Sequence, residues 1–153
     1  MILAEALLLR SDLQKQLASL KQRINSNMLV QEGDEPNEHP QDLIIHAMQL
    51  NKQLHQLILQ IHRTNAVAKL QDGRSLLSVL LQRDEWIEHH KILTQAIQYA
   101  NKEPERYSSR EIKWQKVMKV AHLQKQADKI SAEIRDLNML IQEHNWKIQL
   151  LEA

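Results

Sequence analysis

The chain has no cysteine and no phenylalanine, and only two glycines and three prolines in 153 residues. Without cysteine there is no disulfide, no thiol nucleophile and no thiolate metal ligand, and the composition suits a reducing compartment. Few glycines and prolines leave little means of turning often, and aromatic residues make up 3%, so a strand-rich fold is poorly supplied. An excess of charge of either sign is also missing. A formal net charge of +1 gives no bulk attraction to nucleic acid or anionic lipid, and no nucleic-acid partner is expected. No apolar run approaches the ~18 residues of a membrane span. The opening MILAEALLLR carries Glu5 within its apolar run and no basic residue ahead of it, which makes a poor secretion signal. A cytoplasmic protein is the expectation.

What remains is rich in Leu, Gln, Lys, Glu and Ala, all good helix formers, and the length suits one domain, 1–153. Four segments carry apolar residues at alternating spacings of three and four. The first, about 2–27, sets Leu3, Ala6, Leu13, Leu17, Leu20 and Ile24 in one row, with Arg10 interrupting it. A charged residue in such a seam is usually paired or reaches out to water. The second, about 41–69, repeats Leu43, Ala47, Leu50, Leu54, Leu57 and Ile61, while Ile44, Met48 and Ile58 widen the stripe. The third, about 75–101, is apolar at both ends but polar in the middle, RDEWIEHH. The fourth, about 120–151, has the cleanest row: Leu123, Ala127, Ile130, Ile134, Leu137, Ile141, His144, Ile148 and Leu151. The reading is an all-α, elongated four-helix up-down-up-down bundle with coiled-coil-like packing. Stripes wider than one seam suggest burial against another copy, so a homo-oligomer is expected.

Two long connectors separate these segments. The first, 28–40, holds Gly33, Pro36 and Pro40 with Glu32, Asp34, Glu35 and Glu38. It lacks the alternating spacing of a calcium loop and reads as a solvated acidic turn; 28–31 would suit a very short strand. The second, about 102–119, is basic. Within it Ser108 and Glu111 fit a capping box, whereas Ile112, Trp114, Met118 and Val120 alternate as in a strand; the extended reading is preferred. In an up-down bundle these two connectors share an end, poised to pair by charge. Glu85 and His89 share a helix face, but a dedicated metal site needs three or four ligands, so no metal and no cofactor are expected.

The middle turn, between the second and third segments, contains Asp72-Gly73, a helix-closing pair, and Ser75, a plausible N-cap. It lies beside both chain termini in the expected topology. That gathers Arg63, Asn65, Asp72 and Arg74 with His144, Asn145 and Trp146, near Glu5, Arg10 and Glu143. Two arginines, amides and a Trp suit an anionic ligand or a partner's carboxylate. Capping and turn chemistry is the alternative for the same residues, and a hydrogen-bonded core group is the alternative for His144.

Several of these motifs travel together: R-T-N-A at 63–66, L-Q-D-G-R-S-L at 70–76, V-Q-E-G-D-E-P at 30–36, R-Y-S-S-R-E-I at 106–112, N-W at 145–146 and the opening 3–10. In these the chain resembles the septicolysin-like family of small bacterial helical proteins. The resemblance implies a compact helix-rich fold and, by the family's name, a cytolysin's membrane activity; it carries over no catalytic residue. From the residues themselves the leading expectation is a non-enzymatic cytoplasmic helical oligomer acting as an interaction or scaffold protein. The alternatives are a septicolysin-type pore-forming protein and a small anionic-ligand-binding protein. No P-loop, dinucleotide fingerprint, nucleophile elbow or zinc motif is present in the sequence, so no enzyme activity is expected.

Overall fold

The computed structural model describes residues 1–102 and 113–152. Four helices follow in order, α1 (Leu3–Ser26), α2 (Pro40–Val67), α3 (Leu76–Ala100) and α4 (Val120–Asn145). The expected all-α class holds. Among the described residues, β pairing is confined to two isolated antiparallel bridges, Ile2 with Gln149 and Lys69 with Ser75. The short strands expected in the long connectors are not there: residues 28–31 and 113–119 form neither helix nor strand. Ser108, Glu111 and Ile112, which carried the competing helix and strand readings, lie outside the described residues.

The chain divides into two compact units, Met1–Leu76 with Gln142–Ala153, and Leu77–Ile141. In the first, α1 and α2 pack as an antiparallel pair. The register follows from the core: Leu20, Leu43, Ala47 and Leu50 are buried together, with Leu13, Leu17 and Ile24 packed against them. The α2 row is buried along its whole length, from Leu43 through Leu54 and Leu57 to Ile61, as the spacing required. Each such leucine removed from water contributes about 1.5–3 kcal/mol. Leu3 and Ala6 continue the α1 row and are fully buried. Arg10 sits in that row half-buried, and its Nε is buried without a hydrogen-bond partner.

Pro40 occupies the first turn of α2, where its missing N–H is no loss. The acidic connector is pinned locally. Arg23 donates through Nε to Glu38 at 2.9 Å and through a second nitrogen to the other carboxylate oxygen, and Glu38 N–H donates to Asn27 Oδ1 at 3.1 Å. The Arg23 hydrogen bond holds the Glu38 carboxyl below the usual range. Gly33, with φ +89°, closes the turn in which Asp34 N–H donates to Gln31 O; positive φ there suits glycine.

In the second unit, Leu123, Ala127 and Ile141 are buried and Ile130, Ile134 and Leu137 half-buried, so the α4 row stands as far as 141. On α3 the inward row is Val79, Arg83, Trp86, His90, Leu93, Ile97 and Ala100, at the same alternating spacing. Only Val79 of these is fully buried. The α4 helix stops at Asn145 instead of running to 151: His144 O accepts from both Lys147 N–H (3.0 Å) and Ile148 N–H (2.9 Å), which closes the helix, and the chain continues extended.

Candidate functional site

The residues singled out from the sequence all fall within the first unit, where the end of α2, the start of α1, the middle turn and the C-terminal segment meet. The α1 N-terminus is set by Glu5, whose carboxylate accepts the Ile2 N–H at 2.9 Å. Ile2 also faces Gln149 in an antiparallel bridge, with Leu3 N–H donating to Ile148 O (2.8 Å) and Leu150 N–H donating to Met1 O (3.0 Å). The C-terminal segment is thus clasped to the first residues of the chain. Thr64 fastens it to α2: its hydroxyl donates to Gln60 O (2.8 Å) and accepts the Leu151 N–H (3.0 Å). Thr64 is 1% exposed. It is the next member of the α2 row after Ile61, and that spacing was the signal that would have found it.

The middle turn is a small hairpin, not the helix C-cap expected from Asp72-Gly73. The α2 helix ends earlier, with Ala68 N–H donating to Thr64 O. Leu76 N–H donates to Ala68 O, Leu70 N–H to Arg74 O and Gly73 N–H to Leu70 O. Gly73, at φ +86°, supplies the left-handed residue that closes a three-residue hairpin loop. Leu70 and Leu76 are buried beneath it. Ser75 directly precedes α3, in the N-cap position assigned to it.

This geometry sorts the seven candidates. Arg63 is exposed on α2. Asp72 and Arg74 bind each other: Arg74 N–H donates to Asp72 Oδ1 (3.0 Å), and its Nε and a terminal nitrogen approach Oδ2 at 2.8 and 2.7 Å. The Arg74 side chain holds the Asp72 carboxyl below its ordinary range, helped by the backbone N–H. Asn65 and Asn145 are buried, and Asn65 Oδ1 has no hydrogen-bond partner. His144 is half-buried at the close of α4 and Trp146 is 61% exposed. Beside them Glu143 pairs with Lys147 at 2.5 Å, which lowers the Glu143 carboxyl.

Chemically, this end holds two compensated ion pairs, Asp72 with Arg74 and Glu143 with Lys147, and a buried amide oxygen without a partner. An unpaired Oδ1 suits a water or a ligand donor rather than an anion. Elsewhere, His89 lies 3.9 Å from Glu85 and packs edge-on to Trp86 at 5.5 Å. Among the described residues no group of three potential metal-binding side chains converges. Of the basic connector, Lys116 donates to Asn101 Oδ1 at 2.9 Å, Lys113 and Lys119 are exposed, and Arg106 and Arg110 lie outside the described residues.

Comparison with known proteins adds the following. Residues 10–150 match a family of unknown function, DUF6847, and the chain belongs to that family. A crystal structure of a functionally unknown conserved protein from Corynebacterium diphtheriae is similar to it over 99% of both chains, with 32% sequence identity and a TM-score of 0.90. No curated protein matches. The resemblance to septicolysin-like proteins is therefore corrected: the family and the fold relative that cover this chain carry no such link. Of the motifs, 30–36 and 70–76 lie in connections and 63–66 and 145–146 at helix ends, where capping and turn chemistry recurs in unrelated helical proteins. Among the described residues, no helix is long and apolar enough to cross a membrane.

Proposed function

We propose that this member of a family of unknown function is a non-enzymatic, cytoplasmic helical protein that associates with itself and serves as an interaction or scaffold protein. The observation that carries the reading is the exposed apolar side chains repeated at helical spacing on α2 and α3. Ile45, Met48 and Leu59 stand out from α2, and Leu81, Ile92 and Tyr99 from α3. Exposed apolar side chains gathered on one helix face, rather than scattered singly, support association through that face. The ionisable groups of the polar end support a structural role for that end, since Asp72 is bound to Arg74, Glu143 to Lys147 and Glu5 to the Ile2 N–H.

The anionic-ligand alternative draws on Arg63 and Arg74. Asp72 already compensates Arg74, and the unpaired buried atom, Asn65 Oδ1, repels an anion. Self-association is the better supported of the two. Sedimentation velocity of the purified chain across the micromolar range tests it. A discrete species heavier than one chain is the expected result, and a protein that stays monomeric throughout overturns the reading.

A further inference from the structure

The two exposed rows differ in the charge at their centres. On α2 the outward row is Ile45, Met48, Lys52, His55 and Leu59, spaced three, four, three, four, with every member exposed. Met48, Lys52, His55 and Leu59, with Asn51 and Gln56, line an open depression along the helix. From Leu43 to the end of α2 there is no carboxylate at all, so the apolar ends of the row flank a centre whose only formal charge is positive. On α3 the outward row is Leu77, Leu81, Asp84, Glu88, Ile92, Gln95 and Tyr99, again fully exposed, with Glu85 beside it and Lys91 to one side. Its apolar ends flank an acidic centre. Arg83, on the inward side with its side chain 29% exposed, pairs with Asp84 at 3.2 Å, so the acidic excess of this centre is carried by Glu85 and Glu88.

The patterns also match in length. Met48 and Leu59 are as far apart in sequence as Leu81 and Ile92, with Lys52 and His55 between the first pair and Asp84, Glu85 and Glu88 between the second. Laid together in either direction, apolar ends meet apolar ends and the basic centre meets the acidic one. Two α2 rows laid parallel would oppose Lys52 to Lys52 and laid antiparallel would set Lys52 against His55, with no carboxylate in either, and two α3 rows would oppose carboxylates. Central charges of this kind select partner and register in helix pairing.

We infer that a second copy of this chain docks through these rows, the outer face of α2 of one copy lying on the outer face of α3 of the other. The inference rests on the self-association reading and names its surface. Because the two faces are different patches, the contact closes as a reciprocal pair or a ring, or else continues as a filament, and the molar mass tells which.

The test is sedimentation velocity of the full chain and of Lys52→Glu, Glu88→Lys and an equimolar mixture of those two variants, with circular dichroism to confirm retained helix. Each single reversal replaces an attraction by a repulsion and raises the dissociation constant by about threefold to tenfold. Mixing the two variants recovers assembly, because the acidic α2 of one then meets the basic α3 of the other. Met48→Asp and Ile92→Asp, which remove the apolar ends, each shift the protein to monomer. A wild-type chain that is monomeric overturns the self-association reading and this inference together, leaving the rows to a different protein. A wild-type assembly that neither reversal weakens, or that the mixture does not restore, overturns the α2-on-α3 contact alone.

Discussion

Thr64 offers a single atom on which the reasoning about the polar end can be checked. Its hydroxyl is the side-chain link between α2 and the C-terminal segment, donating to Gln60 O and accepting from Leu151 N–H. Thr64→Val keeps the shape of the buried side chain, so no cavity opens. Gln60 O still accepts the helical N–H of residue 64. Both hydroxyl hydrogen bonds are lost, but Gln60 O keeps its helical partner, so the cost is set by the Leu151 N–H, about 0.5–1.5 kcal/mol net. The Leu151 N–H bond is only part-buried, so the penalty stays near 1 kcal/mol rather than the larger cost of orphaning a fully buried donor. That loss falls on the segment and not on the α1–α2 core. Thr64→Ser keeps the hydroxyl and removes a buried methyl, about 0.8 kcal/mol, and that loss falls on the core. The two variants thus cost nearly the same and differ in where. Native-state hydrogen exchange by NMR separates them: in Thr64→Val the Leu151 amide loses protection by about fivefold, with Leu3 and Leu150 following, as 1.4 kcal/mol is tenfold. In Thr64→Ser the Leu151 amide is unchanged. Equal Leu151 exchange in Thr64→Val and the wild type would refute the role given to this hydroxyl.

Other expectations follow from the same structure. Leu50→Ala empties a 6% exposed core position and costs about 2–5 kcal/mol, whereas Met48→Ala, two residues away on the exposed face, changes monomer stability by no more than about 0.5 kcal/mol; urea unfolding at low protein concentration compares them. Gly73→Ala meets no neighbour within 4 Å but must take φ +86°, so it costs about 1–2 kcal/mol from conformation alone, and Gly73→Asn costs less. The Glu38 carboxyl is depressed by its hydrogen bond from Arg23. Its stabilisation is therefore complete above the ordinary carboxyl value of about 4.3 and is lost as pH falls through the lowered folded value. Urea midpoints followed into acid will fall less steeply for Glu38→Gln than for the wild type in that window.

The rows from Leu43 to Ile61, Leu3 to Ile24 and Leu123 to Ile141 were legible because burial writes itself into spacing, and each residue there answers to one face of one helix. The end of α4 was not. Ile148 and Leu151 keep the helical spacing, yet the Leu3 N–H and Met1 O that claim the backbone of 148 and 150 lie at the far end of the sequence, beyond the reach of any local pattern. Gly73 was rightly read as a left-handed residue, but whether it ends a helix or closes a hairpin depends on Ser75 finding Lys69. The candidate site was legible as a neighbourhood and misjudged as chemistry. Asp72 stands two residues from Arg74, close enough for the turn to bring carboxylate and guanidinium together. That pairing is a local signal in the sequence, and it neutralises the arginine that suggested an anion.

The clasp between residues 1–3 and 148–150 also fixes an order of events. The first unit is written in two pieces, Met1–Leu76 and Gln142–Ala153, with the whole of the second unit interposed. On the ribosome α1 and α2 emerge early and can pair at once through local contacts. The clasp, by contrast, closes the long loop between residues 1–3 and 148–150 and waits for residues 148–150 to appear. Until then the Leu3 N–H lacks the Ile148 carbonyl, and the Thr64 hydroxyl, which already donates to Gln60 O, lacks the Leu151 N–H. The segment after α4 thus completes the unit that α1 and α2 begin, so a nascent chain stalled before residue 148 carries a formed helical hairpin with an open end.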